Sequence, residues 1–188
     1  MRKLMLESLV RGVLTEAPPR PEAAEINELG DALARATRRK LGRSLSIREV
    51  DAGSCNGCEL EIHALNNAFY DIERFGLRFV ASPRHADVLL VTGPVTANMR
   101  VALERTYRAV PDPKWVVAAG DCGFDGGCFA GSYACVGGVG SVIPVDLHIK
   151  GCPPRPIDLL RGLIALVDYN DDSLVGRKPR AAGRSGTV

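Results

Sequence analysis

Hydrophobic and polar positions along the chain change rhythm near residue 45. Before that point the spacing is helical. Leu6, Leu9, Val10, Val13 and Leu14 share one face, Pro18, Pro19 and Pro21 interrupt it, and Ile26, Leu29, Leu33 and Ala34 form a second apolar face. That second helix is predicted from about Pro21 to Arg39. Beyond residue 45 short apolar runs alternate with amphipathic stretches. Leu45 to Val50, Leu77 to Val80, Ala86 to Thr92, Lys114 to Ala119 and Val142 to Ile149 read as strands. Glu59 to Tyr70, Ala97 to Val110 and Ile157 to Tyr169 read as helices. Near-continuous apolar strands separated by helices predict a mostly parallel sheet covered on both faces. The expected fold is a flavodoxin-like, doubly wound α/β domain with an N-terminal helical extension.

Three regions follow from this pattern: a helical docking arm over 1–44, a flavodoxin-like domain over 45–170 and a basic flexible tail over 171–188. The arm has two further readings, a segment packed on its own domain and a membrane-surface helix through Leu6, Leu9 and Val13. In the tail, Arg177, Lys178, Arg180 and Arg184 stand among Gly, Pro, Ser and Ala, with too little apolar surface to offset the entropy of ordering.

The chemistry lies in the cysteines. In an open parallel sheet, ligands bind beyond the carboxyl ends of the strands, where the loops leading into helices gather. Cys55 and Cys58 follow the first strand, Cys122 follows the strand ending at Ala119, and Cys152 follows the strand ending at Ile149. All four are therefore expected on one sheet edge, where they form a candidate four-thiolate site. Such a site suits structural zinc or a 4Fe-4S cluster. Structural zinc usually uses two short paired turns, whereas this chain has one CxxC pair and two single cysteines, and that spacing favours the cluster. A thioredoxin-like dithiol at Cys55 and Cys58 is a third reading, which leaves Cys122 and Cys152 unused.

The stretch Ser-Cys-Asn-Gly-Cys-Glu-Leu-Glu-Ile from Ser54 to Ile62 resembles the start of the small subunit of energy-converting nickel-iron hydrogenases, including the formate hydrogenlyase type. Ser82 to Asp87, Thr92 to Thr96 and Pro111 to Val116 resemble the same family and its relative, the 20 kDa subunit of complex I. Ile143 to Asp146 and Gly151 to Pro156 are similar to both, so the resemblance spans about residues 45 to 168. It implies a proximal 4Fe-4S cluster held by Cys55, Cys58, Cys122 and Cys152, facing a large subunit that carries a nickel-iron centre or lines a quinone pocket. Complex I has adjacent cysteines at the first ligands, so the CxxC spacing of Cys55 and Cys58 favours the hydrogenase branch. The expected role is an electron-transfer subunit, not catalytic alone, on the cytoplasmic side of a membrane. Its expected partners are the large subunit, a ferredoxin-like iron-sulfur subunit and membrane-embedded subunits. The alternatives are a complex I-like quinone oxidoreductase subunit and, outside redox chemistry, a zinc-stabilised interaction module.

Composition and motifs exclude several other classes. A formal charge of +2 gives no global pull toward nucleic acid, and 46% hydrophobic residues over 188 suit one packed core rather than a disulfide scaffold, despite six cysteines. Glu7 interrupts any apolar leader, the residues after Arg38 and Arg39 are too polar for a twin-arginine signal, and no run of about 18 apolar residues is present. Neither GxGxxG nor GxxxxGK occurs, which disfavours nucleotide binding. Cys128 and Cys135 are read as small buried side chains, with a disulfide or an extra metal contact as alternatives. Glu59 and Glu61, beside Cys58, are candidates for proton coupling to cluster reduction, Glu61 ahead of Glu59, against a simple helix-dipole role. His85, and equally His63 and His148, are candidates for redox-linked titration, but none has ligand spacing and each is read as a surface or hydrogen-bonded core histidine. Arg84, Arg100 and Arg155 are read as solvated, with contact to the cluster side or the large subunit as the alternative.

Overall fold

A computed structural model of the chain describes residues 23–169. The first predicted helix, its proline break and the basic tail lie outside the described residues. The elements in order are α1 (Ala23–Leu41), β1 (Leu45–Asp51), α2 (Gly57–Ala64), β2 (Leu77–Phe79), β3 (Val88–Thr92), β4 (Val95–Thr96), α3 (Ala97–Ala109), β5 (Trp115–Ala119), α4 (Asp121–Asp125), β6 (Cys135–Gly137), β7 (Leu147–Ile149) and α5 (Pro156–Tyr169), with short 3-10 turns between several of them.

Five strands form one sheet in the order β2-β1-β3-β5-β7, and each neighbouring pair is parallel. Counted among themselves these strands run 2-1-3-4-5, the flavodoxin-like doubly wound order. β4 and β6 form a separate antiparallel ribbon that pairs Thr96 with Cys135 and Val95 with Gly137. Successive residues of a strand point to opposite faces, so the apolar runs of β3 and β5 serve two cores. Val88, Leu90, Trp115 and Val117 pack with α1, α2 and α5, while Leu89, Val91, Val116 and Ala118 pack with Leu103 of α3 and with Val139 and Ile143. Fully buried central strands are why these segments read as continuous rather than alternating hydrophobic runs.

α1 places Ile26, Leu33 and Ala36 in the first core, and it runs along α5. The Lys40 ammonium donates to the Val167 carbonyl, and Arg161 pairs with Glu25. Its apolar face is thus used within the chain. The turn into β1 is held by Asp87, whose carboxylate accepts from both terminal nitrogens of Arg43 at 2.8 and 2.6 Å and from the Ser46 N–H at 3.0 Å.

Two elements are shorter than the sequence predicts. The helix expected over 59–70 ends at Ala64, because Asn67 turns its side-chain oxygen onto the N–H groups of Phe69 and Tyr70 at 2.8 and 3.0 Å. The strand expected over 142–149 is reduced to Leu147–Ile149, since Pro144 lacks the N–H a ladder needs and the chain before it turns as a short 3-10 helix. Among the described residues no helix is long and apolar enough to cross a membrane.

Candidate metal centre

The loops after β1, β3, β5 and β7 all leave the sheet at its carboxyl edge, and three of them carry the candidate ligands. The loop after β1 is closed by Asp51, whose Oδ1 accepts from the N–H groups of Gly53 and Ser54, both at 2.7 Å, and by Ser54 Oγ, which accepts from the Asn56 N–H at 3.0 Å. Asn56 then takes a left-handed conformation and α2 begins, with Cys58 in its first turn. Cys122 occupies the same place in α4, one turn beyond β5. The Cys152 loop is tied to the Cys122 loop by three bonds: Gly120 N–H to the Ile149 carbonyl at 2.8 Å, Asp121 N–H to the Gly151 carbonyl at 2.9 Å, and Gly151 N–H to Asp121 Oδ1 at 2.9 Å.

β3 lies between β1 and β5, so the Cys55–Cys58 loop must cross its end to reach Cys122. Two glycines make that crossing possible. A Cβ on Gly93 would sit 2.6 Å from the Ser54 nitrogen, and one on Gly120 would sit 2.6 Å from Cys58 Sγ; both residues have positive φ, at +71° and +86°. The close approach is therefore encoded at the ends of β3 and β5, not in the cysteine loop itself.

All six cysteines are free thiols. Cys58 is buried and its thiol is pushed up to about 12, by burial first, then by Glu59 and by the neighbouring Cys122, Cys55 and Cys152. Cys122 is likewise buried and pushed up to about 11, by burial first and then by Cys128. Cys55 and Cys152 are exposed. Thiols that oppose one another's ionisation are suited to a cationic, thiophilic group, which repays the cost of gathering negative charge. The cradle and the donor set fit an iron-sulfur cluster in that sense. Among the described residues, no group of three or more His, Cys, Asp or Glu side chains is drawn together tightly enough to hold a metal ion. The structure thus gathers four sulfur donors at one sheet edge without closing a coordination sphere.

Next to this loop lies a polar cavity of about 390 Å³, lined by Arg48, Glu49 and Asp51 of β1, by Asn56, Glu59 and His63, and by the end of β2. Glu59 is only 6% exposed, and neither of its oxygens finds a hydrogen-bond partner within the described residues. The Glu49 carboxyl is raised, by burial first, with the Glu59 and Asp51 charges adding to it and His63 and Arg48 opposing it. Glu61 is half-buried and does not line the cavity. Of the two acids, Glu59 is the buried one without a hydrogen-bond partner among the described residues, and Glu61 stands nearer the surface. Glu49 is the residue that the sequence pattern does not single out; its signal is Arg48-Glu49, a charged pair between the apolar Ile47 and Val50.

Cys128 corrects a second expectation. It is exposed rather than buried, and it lies against Cys122, while Cys135 is half-buried on β6. Gly126-Gly127 just before it was the available sign of a turn that returns the chain. His85 is exposed, and His148 stacks edge-on to Phe124 with its titration lowered by burial and then by Lys150. Arg100 pairs with Glu104 and Arg155 with Asp158, and Arg84 is exposed. Around the cysteine loops, Leu60, Phe124, Phe129, Tyr133 and Val136 are all exposed.

A doubly wound sheet with four thiols collected beyond its carboxyl edge defines an α/β protein with a cysteine-lined site. The chain belongs to the family of the 20 kDa subunit of NADH ubiquinone oxidoreductase, which matches residues 55–166. It is 40% identical over 159 residues to formate hydrogenlyase subunit 7 of Escherichia coli, covering 85% of this chain and 62% of that protein's length. It is 43% identical over 143 residues to the probable membrane-bound hydrogenase subunit mbhJ of Pyrococcus furiosus, covering 76% of this chain and 86% of the relative. Among solved structures it is similar to a chain of the membrane-bound sulfane sulfur reductase, an archaeal respiratory membrane complex, with a TM-score of 0.63 and 35% identity over 76% of this chain and 78% of that one. The membership is that of an oxidoreductase-complex subunit.

Proposed function

We propose that Cys55, Cys58, Cys122 and Cys152 hold one 4Fe-4S cluster, and that this subunit relays electrons to or from the catalytic centre of a partner large subunit in a membrane-associated, hydrogenase-like complex. The observation that carries the proposal is the gathering of three cysteine loops, distant in sequence, at one sheet edge with glycines cut to their approach. When bound, the cluster supplies one-electron transfer at a potential tuned by burial and by hydrogen bonds to its sulfurs.

The chain's own residues do the positioning. Asp51 and Ser54 fix the turn that presents Cys55, the Asp121 bridge holds the Cys122 and Cys152 loops together, and β3 and β5 shield the sheet side of the site from water. The exposed Phe124, Phe129, Tyr133 and Val136 follow Cys122 in the chain, and Leu60 follows Cys58. An exposed apolar rim of this kind suits burial against a large subunit, so that the site lies at an interface and electrons pass a short distance. Glu59, buried and unpartnered in the polar cavity, is the better candidate of the two acids for coupling proton movement to electron arrival.

The relatives' names support the hydrogenase branch, and the family description keeps a quinone-reducing complex as the second reading. A ferredoxin-like subunit as electron donor, membrane-embedded partners and a place on the cytoplasmic side of the membrane belong to the same proposal. The test is anaerobic purification followed by iron, sulfide and zinc analysis. About four irons and four sulfides per chain are expected for one such cluster, and zinc without iron would sink the relay. Co-purifying the large subunit and reading its sequence for two CxxC pairs able to hold nickel separates hydrogen chemistry from quinone chemistry.

A further inference from the structure

Cys128 is exposed and sits on the turn that follows α4. That turn is tight. The Gly126 N–H donates to the Cys122 carbonyl at 2.9 Å, and the Phe129 N–H donates to the Gly126 carbonyl at 3.0 Å, folding the segment back over the first turn of α4. A Cβ on Gly127 would lie 2.8 Å from Cys122 Sγ, so only backbone separates the turn from that sulfur. Cys128 is the neighbour that, after burial, most disfavours the Cys122 thiolate, as a side chain set against that sulfur does. The other sulfurs have their own surroundings: Cys58 Sγ is turned onto Gly120, Cys55 Sγ lies beside Gly57, and Cys135 is held in the β4–β6 ribbon.

From this juxtaposition we infer that Cys122 and Cys128 form a reversible disulfide in the free, cluster-less subunit, which withdraws Cys122 from the site until it is reduced. The inference rests on Cys122 being a cluster ligand, as proposed above. A peroxide first reaches the exposed Cys128. Its sulfur takes one peroxide oxygen to give a sulfenic acid, and water leaves. The Cys122 sulfur then attacks the Cys128 sulfur; the S–S bond forms, the S–O bond breaks, and the hydroxyl departs as water with the Cys122 proton. Overall two thiols lose two electrons and one peroxide becomes two waters. A dithiol reductant reverses the step by exchange, itself becoming the cyclic disulfide. The thiol next to the ligand thus protects it from further oxidation and makes loading depend on reducing conditions. Once the cluster and the partner subunit are in place, Cys122 is occupied and the step is closed.

The test uses the full-length chain, freed of iron under anaerobic conditions and then exposed to one equivalent of hydrogen peroxide. Free thiols are alkylated, and the chain is cut at Asp125 so that Cys122 and Cys128 fall on different peptides. Mass spectrometry is expected to find those two peptides joined, and the link is expected to vanish with dithiothreitol and in Cys128→Ser. Reconstitution with ferrous iron and sulfide should then give a visible chromophore only after reduction. A principal link between Cys55 and Cys58 or between Cys128 and Cys135, or no link at all, overturns the inference. A fully reduced chain that takes up neither iron nor sulfide defeats the cluster reading instead, while the peptide map still decides which cysteines pair.

Discussion

Replacing Gly120 by alanine tests whether the approach of Cys58 to the end of β5 is as close as the structure has it. Two costs are incurred. The residue has φ +86° and ψ 159°, a region open to glycine and costing an L side chain about 1–3 kcal/mol. The new Cβ would also lie 2.6 Å from Cys58 Sγ, a contact relieved only by turning that sulfur away or moving the α2 turn or the β5 end, at about 1–3 kcal/mol for an overpacked interior. Together these give a loss of about 2–6 kcal/mol, a large part of the ~5–15 kcal/mol that holds a domain folded. Two other glycines calibrate the result. Gly131 has φ +80° and nothing within 4 Å, so Gly131→Ala reports the cost of a positive φ without a steric contact; Gly140 has open surroundings and no positive φ, so Gly140→Ala is expected within about 0.5 kcal/mol of the parent. Urea unfolding of the three variants, followed by circular dichroism, gives the stabilities, and anaerobic iron content reports whether Cys58 is still correctly placed. If Gly120→Ala is no less stable than Gly131→Ala and keeps full iron, the tight cradle around Cys58 is refuted.

Serine at Cys122 or Cys152 should abolish the visible absorption of the purified protein, whereas serine at Cys135 should leave it, and loss in Cys135→Ser would show the ligands to be misassigned. Asp87→Ala strands the buried Ser46 N–H and should cost about 1–3 kcal/mol in urea unfolding. Arg43→Ala removes a side chain that is 56% exposed and leaves that N–H bonded, so its cost should be smaller. Leu33→Ala, at a fully buried position of α1, should cost about 2–5 kcal/mol, and a silent result would mean that α1 is not part of the folded domain. Glu49 gives a pH signature. Its carboxyl is raised above the ordinary 4.5, chiefly by burial, so the folded chain holds a proton that the unfolded chain has lost, and stability falls as pH rises through that window. Glu49→Gln should therefore be more stable than the parent above the window and no more stable below it, in unfolding midpoints measured across a pH series with Glu59, Asp51, His63 and Arg48 unchanged.

Periodicity alone determined the α/β class and the five strands of the parallel sheet, though not the β4–β6 ribbon, because strands buried on both faces leave continuous apolar runs and surface helices leave a stripe. It also placed Cys55, Cys58, Cys122 and Cys152 on one edge, since in a parallel sheet every strand ends on the same side. Where local chemistry overrode the rhythm, the reading erred: Asn67 stopped α2 early, and Pro144 shortened the last strand. What only the tertiary structure decided is how these loops meet. The strand order puts β3 between the cysteine-bearing strands, so Gly93 and Gly120 become the points where the loop must cross. The cavity shared by α2, β1 and the end of β2 takes Glu59 beside Glu49 and His63 and leaves Glu61 outside. The turn at Gly126-Gly127 brings Cys128 onto Cys122. Such contacts depend on the relative placement of elements far apart in the chain, which hydrophobic spacing along a single element does not encode.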